Sequence, residues 1–283
     1  MTALRLGTRG SALALAQARW VAARLGEPVE VVEITTAGDR KAGVGDKSRW
    51  TGALEQALLA GEIDLAVHSA KDVPGALAAG TAIVAVPPRE DPRDMLVGAP
   101  SLSALPAGAR VGTSALRRRA QLLAVRPDLE VVELRGNVDT RLRKLAAGEV
   151  DALVLAAAGL RRLGRDDVPS TPLEGDVFVP APGQGCLAVQ AHAGRRFGAV
   201  CDPDAFAALA TERAVVARLD ASCHTPVGVH AAGAVVRAFA GLPDGSEWLI
   251  DEAGEPDALA ERMLAAGAGD LLARAEAQAA PAA

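Results

Sequence analysis

Chemistry concentrates first at His68-Ser69-Ala70-Lys71-Asp72-Val73-Pro74. Here an apolar run, Leu65-Ala66-Val67, gives way to an imidazole, a hydroxyl, an ammonium and a carboxylate, and Pro74 closes the turn. A carboxylate so placed can protonate a leaving group or stabilise a developing cation. The plainer reading is an Asp that caps the turn or pairs with Lys71. A second candidate is Cys223, in Asp220-Ala221-Ser222-Cys223-His224-Thr225-Pro226. A loop thiol beside a histidine can be an accessible nucleophile; the alternative is an incidental surface cysteine. Cys186 falls in an expected strand and should be buried, and Cys201 precedes a helix. The third candidate is a set of arginines at expected strand ends: Arg9, Arg117, Arg118, Arg135, Arg141, Arg161 and Arg162. One such arginine is usually a solvated helix residue. A set gathered at strand ends can face one crevice and take a ligand with several carboxylates or phosphates, because guanidinium binds such groups bidentately and stays charged.

The elements that must position these groups show an internal echo. Leu6-Gly7-Thr8-Arg9-Gly10-Ser11-Ala12-Leu13 resembles Val111-Gly112-Thr113-Ser114-Ala115-Leu116. In each, a strand runs into Gly-Thr, and a serine (Ser11, Ser114) is placed to cap the next helix. Gly61-Glu62-Ile63-Asp64-Leu65-Ala66-Val67 likewise resembles Gly148-Glu149-Val150-Asp151-Ala152-Leu153-Val154, each opening where a helix stops at glycine. Two matches in the same order predict two domains of similar βαβ build. Strands are expected over 29–35, 83–86, 129–134, 152–156 and 186–189, and helices from Thr51 to Ala60 and Pro203 to Leu219. The alternation predicts a mostly parallel sheet covered on both faces. Residues 37–49 read as a mobile loop and 99–106 as a crossover linker. Beyond Pro203 a smaller α+β region is expected, with strands near 227–229 and 235–239 and a closing Ala-rich helix.

Composition narrows the function classes. Half of the 283 residues are hydrophobic, enough for a sizeable core. Three cysteines and four histidines lack disulfide-framework or metal-ligand spacing, so no metal is expected. The net charge of −5 argues against a nucleic-acid partner, yet residues 110–165 hold twelve basic side chains against six acidic ones. The opening Met-Thr-Ala-Leu-Arg-Leu-Gly lacks the apolar run of a signal peptide, and no stretch is long enough to span a bilayer. The expectation is a cytoplasmic protein without a membrane partner. Nothing suggests an obligate interface, so a monomer is expected.

Taken together, these segments resemble the porphobilinogen deaminase (hydroxymethylbilane synthase) family, nearly end to end. The resemblance rests on Gly7 to Ser11, Asp64 to Pro74, Arg89 to Asp94, Val111 to Arg118, Leu134 to Leu142, Ala158 to Gly164, Pro182 to Gly185 and Cys223 to Gly228. It implies an α/β fold: two domains like the lobes of type II periplasmic binding proteins, at 1–88 with 184–201 and at 93–182, then a smaller α+β domain at 204–283. It implies a transferase of tetrapyrrole (heme, porphyrin) biosynthesis. Four porphobilinogen units are added head to tail with loss of ammonia, on a dipyrromethane cofactor carried by Cys223, before water releases hydroxymethylbilane. Asp72 would be the catalytic residue, assisting ammonia loss and stabilising the cationic azafulvene and pyrrolium. Thr113, Ser114, Arg117, Arg118, Lys71 and Asp72 would hold the cofactor. Arg9, Ser11, Gln17, Lys47, Arg135, Arg141 and Arg162 would hold substrate, each pyrrole ring bringing an acetate and a propionate.

The chain departs from the family pattern at Ala221-Ser222, where Gly-Gly often precedes the cysteine, and at Ala115, usually a second serine. Ser48-Arg49-Trp50 replaces a segment with glycine and phenylalanine, leaving Trp50 as a possible aromatic lid, and Gln190 stands where glutamate is common. These changes bear on affinity and loop behaviour more than on the reaction. Two alternatives compete: a solute-binding module, which needs the arginines but neither Asp72 nor Cys223, and an inactive relative kept for regulation. Intact mass and Ehrlich's reagent separate all three.

Overall fold

The computed structural model describes residues 2–40, 48–222 and 225–279, and the chain divides into two compact units, 1–90 with 183–210 and 91–182 with 211–283. The first lobe contains β1 (Leu4–Thr8), α1 (Ala12–Ala22), β2 (Val29–Glu33), α2 (Ala37–Arg40), α3 (Ser48–Leu59), β3 (Leu65–Ser69) and β4 (Thr81–Ala85). The second contains β5 (Asp94–Val97), β6 (Arg110–Thr113), α4 (Leu116–Val125), β7 (Glu130–Glu133), α5 (Val138–Ala146), β8 (Ala152–Ala156), α6 (Ala157–Arg162) and β9 (Ser170–Pro172). The chain returns to the first sheet as β10 (Leu187–His192). It continues through α7 (Pro203–Arg218), β11 (Val227–Ala232), β12 (Val235–Gly241), β13 (Trp248–Ala253), α8 (Pro256–Ala265) and α9 (Ala268–Ala279).

The two five-stranded sheets share one topology. The first has the order β2-β1-β3-β10-β4 and the second β7-β6-β8-β5-β9. In each, the first three strands are parallel and the fourth runs antiparallel to both neighbours. The expected mostly parallel sheet is therefore mixed. The reason is that β10 and β5 each follow a strand of the other sheet rather than closing a βαβ unit, so nothing forces them parallel. Two faces of the first sheet are covered, Val21 packing with Leu6 and Val67 on one and Leu54 and Leu58 packing with Ala66 on the other. This is the pair of similar α/β lobes that the internal echo predicts.

The echo has an atomic basis. Gly61 and Gly148 adopt φ +67° and +73°, a region open to glycine, and end their helices alike. The following N–H groups, of Glu62 and Glu149, reach back to the carbonyls of Ala57 and Lys144 at 2.9 and 3.0 Å. The aspartate two residues on clasps the entry of the first strand. Arg5 N–H donates to Asp64 Oδ2 at 2.9 Å, and Arg110 N–H to Asp151 Oδ2 at 2.7 Å. Each aspartate returns its own N–H to the same arginine's carbonyl at 2.8 Å. The echoed Gly-Thr turns differ at the helix start. Ser11 caps α1, accepting from Ala14 N–H at 3.3 Å. In the second lobe the helix begins later, with Ala115 at the cap position and no side-chain bond there, so Ser114 does not cap it.

Other differences are local. The expected loop over 37–49 opens with the short helix α2, α3 starts three residues before Thr51, and the residues between lie outside the described ones. The C-terminal region has an antiparallel sheet, β11-β12-β13, whose third strand the sequence pattern did not reveal. Phe239 of β12 is fully buried and packs with Ala120 of α4 and Val179.

The Arg5 side chain also hydrogen-bonds Asp64, at 3.2 and 3.1 Å, and holds its carboxyl below the usual range. A depressed carboxylate stabilises the fold above its unfolded value, near ~3.9, and that contribution is lost as pH falls through the folded value. Asp64→Asn should therefore lower the urea midpoint at neutral pH and by progressively less toward low pH. A deficit that stays constant with pH would contradict this account.

Candidate active site

In the first lobe, β3 ends at Ser69 and the backbone winds through a single tight turn, Ala70–Asp72. That turn places Asp72 in a pocket whose wall includes Arg9, Ser11, Gln17, Trp50 and His68. Gln17 of α1 and Ser69 hydrogen-bond each other at 2.9 Å, fixing the helix against the end of β3. The Arg9 guanidinium lies 4.0 Å over the Trp50 ring, a cation–π contact. Gly38 makes room for this tryptophan, since a Cβ there would come within 2.2 Å of its ring.

The segment Pro182-Gly183-Gln184-Gly185 braces the Asp72 turn. Gly183 has φ +76°, and a Cβ on it would stand 3.0 Å from the backbone of Ala70 and Lys71. Lys71 Nζ lies 3.3 Å from Gln184 Oε1, and Ala70 N–H donates to the Cys186 carbonyl at 3.0 Å. His68 is buried. Desolvation is the largest influence on it and lowers its pKa to about 4, against the upward pull of Gln190, Glu55 and Asp72. Its Nε2 has no hydrogen-bond partner.

In the second lobe, Arg117 and Arg118 are not at the surface. They retain 5% and 6% exposure and share one carboxylate, Asp94, at 2.8 Å each. Arg118 also donates to the Val154 carbonyl at 2.8 Å, and Arg117 to Gln121 and the Val179 carbonyl, both at 2.8 Å. Burial is the largest influence on Arg117 and lowers its pKa from the ordinary guanidinium value, with Asp94 opposing. Two cations against one anion leave this interior positive. Around it, Arg141 Nη2 donates to Ser114 Oγ at 3.0 Å and its Nε to the Gly136 carbonyl at 2.8 Å. Thr113 is buried, and its hydroxyl accepts from Ala115 N–H at 3.2 Å. Arg135 pairs with Glu133 at 2.6 Å, and Arg161 with Asp91 at 3.1 Å. Arg162 sits half-buried in the last turn of α6.

Cys223 and Lys47 lie outside the described residues. The flanks of Cys223 are held. Ser222 hydrogen-bonds Glu276 of α9, and the Thr225 hydroxyl donates to the Ser222 carbonyl at 2.8 Å. Five residues beyond the cysteine, Gly228 passes so close to Arg117 that a Cβ would meet its Cδ at 3.1 Å and the Val179 carbonyl at 2.5 Å. The start of β11 thus lies against the Arg117 side chain.

The structure thereby gathers Asp72, Arg9, Ser11 and Gln17 in one pocket, and Thr113, Ser114, Arg117, Arg118 and Arg141 around the ends of β6 and α4. Sequence reasoning missed Asp94, the carboxylate on which both buried arginines depend, and also Glu55. An acid opening an apolar strand, Asp94-Met95-Leu96-Val97, was the available signal.

Comparison with known proteins is consistent along most of the chain. The family model described as "Porphobilinogen deaminase, dipyromethane cofactor binding domain" matches residues 4–197. A porphobilinogen deaminase of Roseiflexus castenholzii is 46% identical over 303 residues, covering 95% of this chain and 98% of its own. Its counterpart from Rubrobacter xylanophilus is 47% identical over 296 residues, covering 95% and 96%. Among solved structures, an ancestral cationic amino acid solute binding protein aligns at 16% identity over 68% of this chain and 83% of that one, with TM-score 0.42.

Removing Asp94 would leave two buried guanidinium groups without their anion, a change of about 3–5 kcal/mol for a broken buried pair. Asp94→Ala should lose that much stability in chemical denaturation. A loss under about 1 kcal/mol, the scale of a surface pair, would show that the pair is solvated instead.

Proposed function

The chain belongs to the porphobilinogen deaminase family, and from that premise we propose that Asp72 drives ammonia loss from porphobilinogen while the arginines of both lobes hold the carboxylates of the growing chain. The activity is the stepwise head-to-tail joining of four porphobilinogen molecules on a covalent dipyrromethane primer. Hydrolysis then releases hydroxymethylbilane for heme and other porphyrins. The observation that carries this reading is the company Asp72 keeps: a carboxylate at a strand end, in one pocket with a guanidinium and a hydroxyl.

Ammonia leaves only when its nitrogen carries the extra proton, and its departure leaves a cation on the pyrrole. A fixed carboxylate serves both moments. It holds the protonated amine by a charge-assisted hydrogen bond, then faces the cation without reorganising. Arg9 and Ser11 take an acetate or propionate of the incoming ring, and Gln17 keeps α1 in place beside them. Arg135, Arg141 and Arg162 take the side-chain carboxylates of rings already added, and Lys47 is read as a further substrate-binding cation.

The chain's residues fit the dipyrromethane. Arg117 and Arg118 outnumber Asp94, so their interior has charge to spare for a carboxylate, and Thr113, Ser114 and Lys71 supply polar contacts beside it. β11, which begins at Val227, four residues beyond Cys223, passes the Arg117 side chain, which supports attachment at that thiol. When bound, the group would supply the nucleophilic pyrrole carbon to which the first unit is joined, each later unit being joined to the ring before it. The domain division at 1–88 with 184–201, 93–182 and 204–283 follows the same reading, the last part carrying the thiol. We propose further that the protein acts as a monomer in the cytoplasm. Among the described residues, no helix is long and apolar enough to cross a membrane.

Two outcomes test this. The intact mass of the purified protein should exceed that of the polypeptide by two pyrrole units and give Ehrlich colour, while Cys223→Ser should show the bare mass and no colour. A variant that still carried the group would move the anchor elsewhere. Arg141→Ala should raise KM for porphobilinogen about tenfold or more, the scale of a lost charge-assisted hydrogen bond. An unchanged KM removes Arg141 from substrate binding.

A further inference from the structure

We propose that Trp50 is a positioning residue: its indole stacks on the Arg9 guanidinium and holds that group ready for a carboxylate of the incoming pyrrole, in a space that Gly38 keeps open. This rests on the substrate-binding role of Arg9 proposed above.

The contact joins two elements of the first lobe. Arg9 follows β1, and Trp50 lies in the first turn of α3. The centre of the guanidinium stands 4.0 Å from the centroid of the Trp50 ring, well within cation–π range. Stacks of this kind occur roughly once in 70–80 residues, so the contact by itself assigns nothing. Two others occur among the described residues, Arg24 on Trp20 at 3.8 Å and Arg195 on Phe197 at 5.5 Å. None of those four residues lines the pocket that holds Asp72, whereas Arg9 and Trp50 both do.

The indole is held in turn by α2. Gly38 is buried, and a Cβ on it would overlap Cε3, Cζ3 and Cδ2 of Trp50, three atoms of the six-membered ring. Gly38 has no positive φ, so space and not backbone conformation calls for glycine there. Gly38 does not line the pocket, which makes it a handle on the indole that leaves the substrate's own contacts alone.

Stacking engages the face of a guanidinium, whereas a carboxylate binds along its edge, where the N–H groups point. One contact therefore does not displace the other. A long arginine side chain otherwise surrenders rotamer freedom each time it takes a ligand, and fixing it beforehand removes that cost from binding. The benefit falls on every porphobilinogen that enters. It lowers KM and leaves the chemical step at Asp72 unchanged, as uniform binding does.

Steady-state kinetics with porphobilinogen, on protein already carrying its dipyrromethane, test this. Trp50→Leu should raise KM about three- to thirtyfold, the range from an exposed to a desolvated cation–π contact, with kcat within about threefold. Trp50→Phe should raise KM by less, because a phenyl ring still stacks but less strongly. Gly38→Ala should raise KM as Trp50→Leu does and add nothing when combined with it. In an Arg9→Gln background, Trp50→Leu should change KM by less than about twofold, the limit for a residue acting only through Arg9. An aromatic side chain that merely covers the pocket or supports the fold would keep its full effect there, and that result overturns the proposal. So does an unmoved KM in Trp50→Leu or Gly38→Ala, a fall in kcat without a change in KM, or equal losses from Trp50→Phe and Trp50→Leu. If Gly38→Ala does not fold, the Arg9 and Trp50 variants alone decide. An unmoved KM in Arg9→Gln removes the binding role of Arg9 and the purpose of the stack with it. A raised KM there beside an unmoved one in Trp50→Leu removes only the stack.

Discussion

Two guanidinium groups share a single carboxylate in the interior of the second lobe. Arginine cannot shed its proton to escape burial, so the fold has to neutralise or employ the surplus charge. Much of the local architecture follows from that. β5 must run antiparallel beside β8, because only then does its first residue, Asp94, lie opposite Ala156 and near the Val154 carbonyl that also receives Arg118. The start of α4 must bring residues 117 and 118 inward. Position 228 must be glycine, because a Cβ there would stand 2.5 Å from the Val179 carbonyl and 3.1 Å from the Arg117 side chain. A surplus of positive charge held this rigidly is suited to carboxylates that are passed along, since its geometry does not relax when one ligand leaves.

The first lobe uses the same scaffold for the opposite purpose. Its sheet order, its glycine stop and its aspartate clasp repeat those of the second lobe, yet its strand end presents a carboxylate in a pocket that a buried imidazole also lines. On the proposed reading, one duplicated framework carries the reacting group in one copy and most of the anion-binding groups in the other. The difference resides in a few side chains at strand ends, where the backbone already points outward and substitution leaves the core untouched.

Much of this was legible in the sequence, and the reasons are physical. The echoes at Gly7-Thr8 and Gly112-Thr113, and at Gly61 and Gly148, mark places where only glycine fits or where φ is positive, so they survive as exact residue types. Asp72 stood out because polar groups interrupted an apolar strand. What stayed hidden depended on long-range partners. The antiparallel entry of β10 and β5 is a matter of topology, which periodicity does not encode. Ser114 has the composition of a helix cap, but tertiary contact with Arg141 takes its hydroxyl. Arg117 and Arg118 were legible as members of an anion-binding set, but their burial was not, because their partner, Asp94, lies more than twenty positions away.

The central claim is that the Asp72 charge, and not its shape or hydrogen-bonding capacity, drives the loss of ammonia. Rapid-quench measurement of ammonia released per enzyme molecule, for protein already carrying its dipyrromethane and with Asp72→Asn compared to Asp72→Glu, tests it most directly. The account predicts that the amide variant binds porphobilinogen yet releases ammonia at least about a hundredfold more slowly, the lower scale for general acid–base catalysis, while the longer acid retains measurable release. Ammonia release by Asp72→Asn at the rate of the unaltered enzyme would contradict it.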